Sequence, residues 1–127
     1  MHETRQLAQF VATTPFANLP PSLIEDFKII VLDTFAAGII GTAQPWARMV
    51  VELVHELGGK PDASIINQSW RTDISRAALA NGALIGAFEC EPLTGSHASG
   101  TVLPAALAVC EREHLDGSAF IRPGRGI

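Results

Sequence analysis

Charge is scarce in this chain of 127 residues: 17% are charged against 47% hydrophobic, and the mean hydropathy is +0.24. So few polar side chains cannot cover a small globule, whose surface-to-volume ratio is high, and exposed apolar surface is expected. Such surface marks interfaces, which implies a homo-oligomer such as a homodimer, or a piece of a larger protein. Basic residues are scarcer still. Nine Lys and Arg residues are scattered along a chain of net charge −4, which argues against nucleic acid as a partner because phosphate binding needs a clustered cationic surface. Two cysteines, Cys90 and Cys110, are too few for a disulfide framework, and no basic and apolar signal segment opens the chain. A reducing cytoplasm is the expected compartment. No apolar run is long enough to span a bilayer, so no membrane partner is expected. The most apolar, residues 29–40 (IIVLDTFAAGII), carries Asp33 in its middle and reads as a buried helix in which Asp33 is paired.

What the chain does have is helical periodicity. Leu7, Phe10 and Val11 give an amphipathic helix over residues 3 to about 13. After Pro20 and Pro21, the pattern Ser22-Leu23-Ile24-Glu25 is that of a capping box, opening a helix to about residue 41. Its apolar residues Ile24, Phe27, Ile30, Val31, Phe35 and Ile39 exceed one stripe, so it is expected to have neighbours on more than one side. Trp46, Met49, Val50, Leu53, Val54 and Leu57 match the template of a third helix, stopped by Gly58-Gly59, with His55 solvated on the opposite face. Residues 63–67 (ASIIN) read as one short strand or an extended connector, with no partner strand evident. Asp73 is an N-cap for a fourth helix to about residue 88, rich in alanine, whose Gly82 and Gly86 lower helix propensity and so point to close packing or substrate access. A fifth helix is expected from near Pro104 to about residue 114, and Asp116-Gly117-Ser118 opens a sixth that meets Pro123-Gly124. With no internal repeat, low-complexity tract or Gly-Ser linker, the expectation is a single all-α domain, residues 1–127: a compact array of five to six helices with at most one short strand.

Acid/base residue types collect in one place. In residues 80–100 (ANGALIGAFECEPLTGSHASG) a helix of small residues empties into a polar loop holding Glu89, Glu91 and His97. Carboxylate and imidazole groups serve reactions that remove or deliver a proton at carbon, and Glu89, at the end of an apolar helix, is expected to lose hydration in a way that favours its protonated form. Glu89, Cys90, Glu91 and His97 match no common zinc spacing, and Ser96 and Ser99 beside His97 lack the turn motif of a serine nucleophile. Neither a metal nor a cofactor is expected.

This helix and loop resemble the MmgE/PrpD family, which includes 2-methylcitrate dehydratase, cis-aconitate decarboxylase and some epimerases. The segments TRQLAQFV, LPPSLIEDFKIIVLDTFAAGIIG, ELGGKPDASII, SRAALANGALIGAFE and HASGTVLPAALAV resemble, in order and spacing, consecutive N-terminal elements of that family. The resemblance implies the first part of a helical domain that later polypeptide completes, together with a smaller α+β domain, around an active-site cleft. The tail IRPGRGI departs from the family, which continues the last helix, so a truncated tail over residues 122–127 is expected.

In the decarboxylase and dehydratase branches the helix ends in a run resembling Asp-Phe-Asp-Asp-Thr, followed by His-Pro-Ser-Gly or His-Pro-Gly. Here Glu89 stands at the first acidic place, Glu91 at the second, Pro92 at the third, and Leu93 where the threonine would be, with Thr94 beside it. His97 matches the histidine before Ser-Gly. The resemblance thus implies Glu89 and His97 as catalytic groups, and Glu91, Thr94, Ser96 and Ser99 as contacts to a small polycarboxylate substrate. Gly86 replaces the histidine usual one turn earlier, a departure that points away from the best-known branches. A polycarboxylate needs several cations, and Arg71 and Arg76 are the candidates here, so the chain alone is expected to be inactive. The alternative is a helical interaction module without catalysis of its own.

Overall fold

The computed structural model describes residues 2–90 and 97–121. Six α-helices dominate them: α1 (Glu3–Thr13), α2 (Pro21–Gly41), α3 (Pro45–Leu57), α4 (Ile74–Ile85), α5 (Ala98–Arg112) and α6 (Gly117–Ile121). Short 3-10 turns cover Phe16–Asn18 and Gly86–Phe88. The only sheet among the described residues pairs β1 (Ala63–Ser64) with β2 (Arg71–Thr72), antiparallel, with Ala63 opposite Thr72 and Ser64 opposite Arg71. The partner strand missing from the sequence reading is therefore Arg71–Thr72, and two residues are too few to display a period-two pattern. No helix among the described residues is long and apolar enough to cross a membrane.

Helix α4 is the centre of the array. It packs most extensively on α5, then on α2 and α3, and its Ala77, Ala80 and Leu84 join Ala47, Val51 and Val54 of α3, Ala63, Ile65 and Ala108 in the core. Asp73 caps it, accepting hydrogen bonds from the amides of Ser75 and Arg76. The Arg76 guanidinium, bonded to the same carboxylate, holds the Asp73 carboxyl below the ordinary carboxylate range.

Within α4 the buried Asn81 side chain reaches across to the extended segment after β1. Its Oδ1 accepts from the Ile66 amide at 2.8 Å and its Nδ2 donates to the Ser64 carbonyl at 3.0 Å. From the other side Glu111 of α5 accepts hydrogen bonds from the amide and hydroxyl of Ser64, and Arg71 lies 3.5 Å from Glu111. Two helices thus grip one short strand through polar contacts.

The small residues explain the close approach. A Cβ built on Gly82 would lie 2.9 Å from the Gly100 carbonyl oxygen, and Gly100 is the residue whose helical partner four positions on is Pro104, which has no N–H to donate. Of the two explanations the sequence left open for Gly82, packing is the one that the geometry supports. Helix α2 meets α4 in the same way, through the buried stripe Thr34, Ala37, Gly38 and Gly41.

Four sequence expectations need correction. Helix α2 begins at Pro21 with Pro20 as its cap, the fixed φ of proline suiting the first turn. The Ser22–Glu25 capping box does not form, and Glu25 pairs with Lys28 at 2.7 Å instead. Second, α2 has neighbours on more than one side as expected, α4 and α5 among them, but its run 29–40 is not a buried helix. It buries its small residues, so Ile29, Leu32, Asp33, Ile39 and Ile40 are left exposed and Asp33 needs no buried partner.

Third, α3 is turned from its expected face. Ala47, Val51 and Val54 point inward because α4 approaches closely, and Trp46, Met49, Leu53 and Leu57 are each at least half exposed. Fourth, α5 starts at Ala98, not at Pro104, which is buried in its interior. The expected exposed apolar surface is present, as stripes on α2 and α3. Helix α1 buries none of its residues.

Candidate functional site

The local sequence ends α4 early. After Ile85 the chain tightens into the 3-10 turn Gly86–Phe88, and Glu89 follows in the left-handed conformation, φ 57° and ψ 26°, its amide donating to the Gly86 carbonyl at 3.2 Å. A non-glycine residue rarely adopts that conformation, and here it turns the carboxylate off the helix axis. Across the loop His97 is the N-cap residue of α5, and its carbonyl accepts from the amide and the hydroxyl of Thr101 at 3.1 and 2.8 Å.

The two ends meet. His97 Nε2 lies 3.7 Å from Glu89 Oε2, so the imidazole and carboxylate form a pair across an interval of eight residues. Both are open to solvent, with side chains 48% and 76% exposed, and the Glu89 side chain therefore lacks the apolar cover expected from its place at the helix end. Ser99 sits buried in the first turn of α5, immediately behind His97. Glu91, Pro92, Leu93, Thr94 and Ser96 lie outside the described residues. The arrangement can do proton transfer, because it holds a carboxylate and an imidazole in reach of one small molecule.

The candidate cations are committed elsewhere. Arg76 is bound to Asp73, and Arg71 donates to the carbonyls of Pro61 and Asp62 at 3.2 and 2.7 Å beside Glu111. The Cys110 thiol, pushed up by burial, is no substitute nucleophile. One contact to this site escaped the sequence reading. Trp46 Nε1 donates to the Ala87 carbonyl at 3.1 Å, which ties the start of α3 to the turn before Glu89. Its signal was a tryptophan on an apolar stripe, where the polar edge of the indole needs a partner.

Residues 5–123 match the MmgE/PrpD N-terminal domain. Among curated proteins the chain is 25% identical over 111 residues to a cis-aconitate decarboxylase-like protein, oryM, of Aspergillus oryzae. It is 23% identical over 111 residues to a cis-aconitate decarboxylase of Aspergillus terreus. Both alignments cover 85% of this chain but 23% of the relative, so the chain spans about a quarter of the length of either protein. No solved structure matches. With the match running almost from end to end, the chain belongs to the MmgE/PrpD family and carries its N-terminal domain.

Proposed function

We propose that this chain is the N-terminal portion of an MmgE/PrpD-type lyase or isomerase, acting on a small polycarboxylate by proton transfer at carbon. The observation that carries the reading is the approach of His97 to Glu89, at 3.7 Å, across the loop between α4 and α5. The names of the relatives favour cis-aconitate as substrate and loss of CO2 as reaction, against the departure at Gly86, where those branches usually carry a histidine. Departure of CO2 leaves an electron pair on carbon, to which a protonated imidazole or carboxyl must deliver a proton. The positive end of α5 beside His97 favours a substrate carboxylate there. Ser99, and Glu91, Thr94 and Ser96 of the loop, would supply polar contacts.

The site is one wall only. Solvent reaches both side chains, Arg71 and Arg76 are bonded to other partners, and the relatives are about four times longer. Further polypeptide would supply cations and exclude water, which strengthens electrostatic catalysis. The purified chain given cis-aconitate is expected to turn over at less than about 0.01 per second, well below ordinary enzymes. Turnover near 1 per second or above would contradict the incomplete site.

A second reading, an interaction module without catalysis, is favoured by the exposed stripes Ile29, Leu32, Ile39 on α2 and Met49, Leu53, Leu57 on α3. In the first reading these faces meet the rest of the protein or a second copy. A cytoplasmic setting accords with two free cysteines.

A further inference from the structure

We propose that Trp46 is the positioning residue of the Glu89–His97 pair, holding the turn that aims the carboxylate; this rests on reading that pair as the proton-transfer site. Trp46 stands in the first turn of α3, 41 residues before Ala87, and the residue is 55% exposed. Burial of the indole therefore is not its main contribution. The directed contact is the hydrogen bond from Nε1 to the Ala87 carbonyl, 3.1 Å long.

Ala87 is the middle residue of the turn Gly86–Phe88, and Glu89 follows in a left-handed conformation that a non-glycine residue keeps only when its surroundings enforce it. The turn closes on the Glu89 amide, which donates to the Gly86 carbonyl at 3.2 Å. Trp46 adds an external anchor from a rigid element, since Ala47, Val51 and Val54 fix α3 in the core directly behind it. The corner between α2 and α3 backs this up: Gln44 donates to the Gly41 carbonyl at 2.9 Å, and Gly41 lies against the Leu84 backbone. One corner thus grips the end of α4 at two points, three residues apart.

The test is residue-resolved amide hydrogen exchange, with backbone carbon shifts, on the 127-residue chain and its Trp46→Phe variant, which keeps a ring and removes the donor. Loss of one hydrogen bond is expected to speed exchange of the Glu89 amide about fivefold to tenfold and to move the Glu89 carbon shifts toward unstructured values. Protection at Ala80, Asn81 and Leu84 is expected to stay unchanged. A variant with wild-type exchange and shifts at Glu89, or one in which α4 loosens as much as Glu89, overturns the proposal, the second outcome marking Trp46 as merely structural. A Trp46→Leu variant that behaves as Trp46→Phe does would support the hydrogen bond over the ring. None of these readouts involves substrate, so failure of the proton-transfer reading would appear separately, as absence of cis-aconitate binding.

Discussion

Asn81→Leu is expected to cost about 3 kcal/mol of folding stability, because each buried polar group left unpaired costs about 1–3 kcal/mol and this change orphans two. Leucine keeps the branched outline of asparagine with no donor or acceptor, and its bulkier methyl groups add overpacking to the polar loss at this fully buried position. The groups abandoned are the Ile66 amide and the Ser64 carbonyl, on the segment that leads from β1 between α4 and α5. Ile65 between them is buried while Ser64 and Ile66 are half-buried, so water reaching those two residues offsets part of the loss and keeps the figure at the low end of that range. A urea melt should show a lower midpoint with an unchanged slope. An unchanged midpoint would mean that Ser64 and Ile66 find partners elsewhere, and the clamp would lose its significance.

Gly41→Ala is the second large effect, of about 2–3 kcal/mol or more, by forced overpacking. The added Cβ would lie 1.9 Å from the Leu84 carbonyl oxygen and 2.8 Å from its carbon, so backbone must move. Gly38→Ala, one turn earlier, supplies the contrast. Its Cβ meets the Cδ1 tip of Ile66 at 2.6 Å, and a side-chain tip can swing away, so the loss there is expected to be smaller. Thermal melts of the two variants side by side would check the order. The reverse order would mean that α2 and α4 are not locked together by backbone contact.

These two positions also show what sequence could reveal. Helix existence and extent were legible where periodicity was strong: α1, the end of α2, α3 with its Gly58 stop, and the Asp73 and Asp116 caps all stand where expected. Helix facing was not. A hydrophobic template takes the largest apolar residues as the buried ones, whereas α2 and α3 turn Gly, Ala and Val inward and leave Ile29, Leu32, Met49 and Leu53 exposed.

The reason is distance. Helices that approach closely enough for Gly41 to touch the Leu84 backbone have no room between them for leucine. Pro104 misled for a related reason, since proline reads as a helix start yet is tolerated inside α5, where the facing residue across Gly100 is the glycine of α4. For the site, residue types were legible as acid/base chemistry, and their meeting at 3.7 Å was not, because it depends on the left-handed turn at Glu89 and on Trp46, 43 residues earlier.

The central claim is that Glu89 and His97 form one wall of a polycarboxylate site. It is tested most directly by titrating the chain with cis-aconitate while recording backbone amide shifts in the wild type and in His97→Ala. Saturable changes confined to Glu89 and the α5 start at His97, Ala98, Ser99 and Gly100, with affinity on the order of millimolar and lost in His97→Ala, are expected for half a site. Shifts that never localise there, or that survive unchanged in His97→Ala, would contradict it.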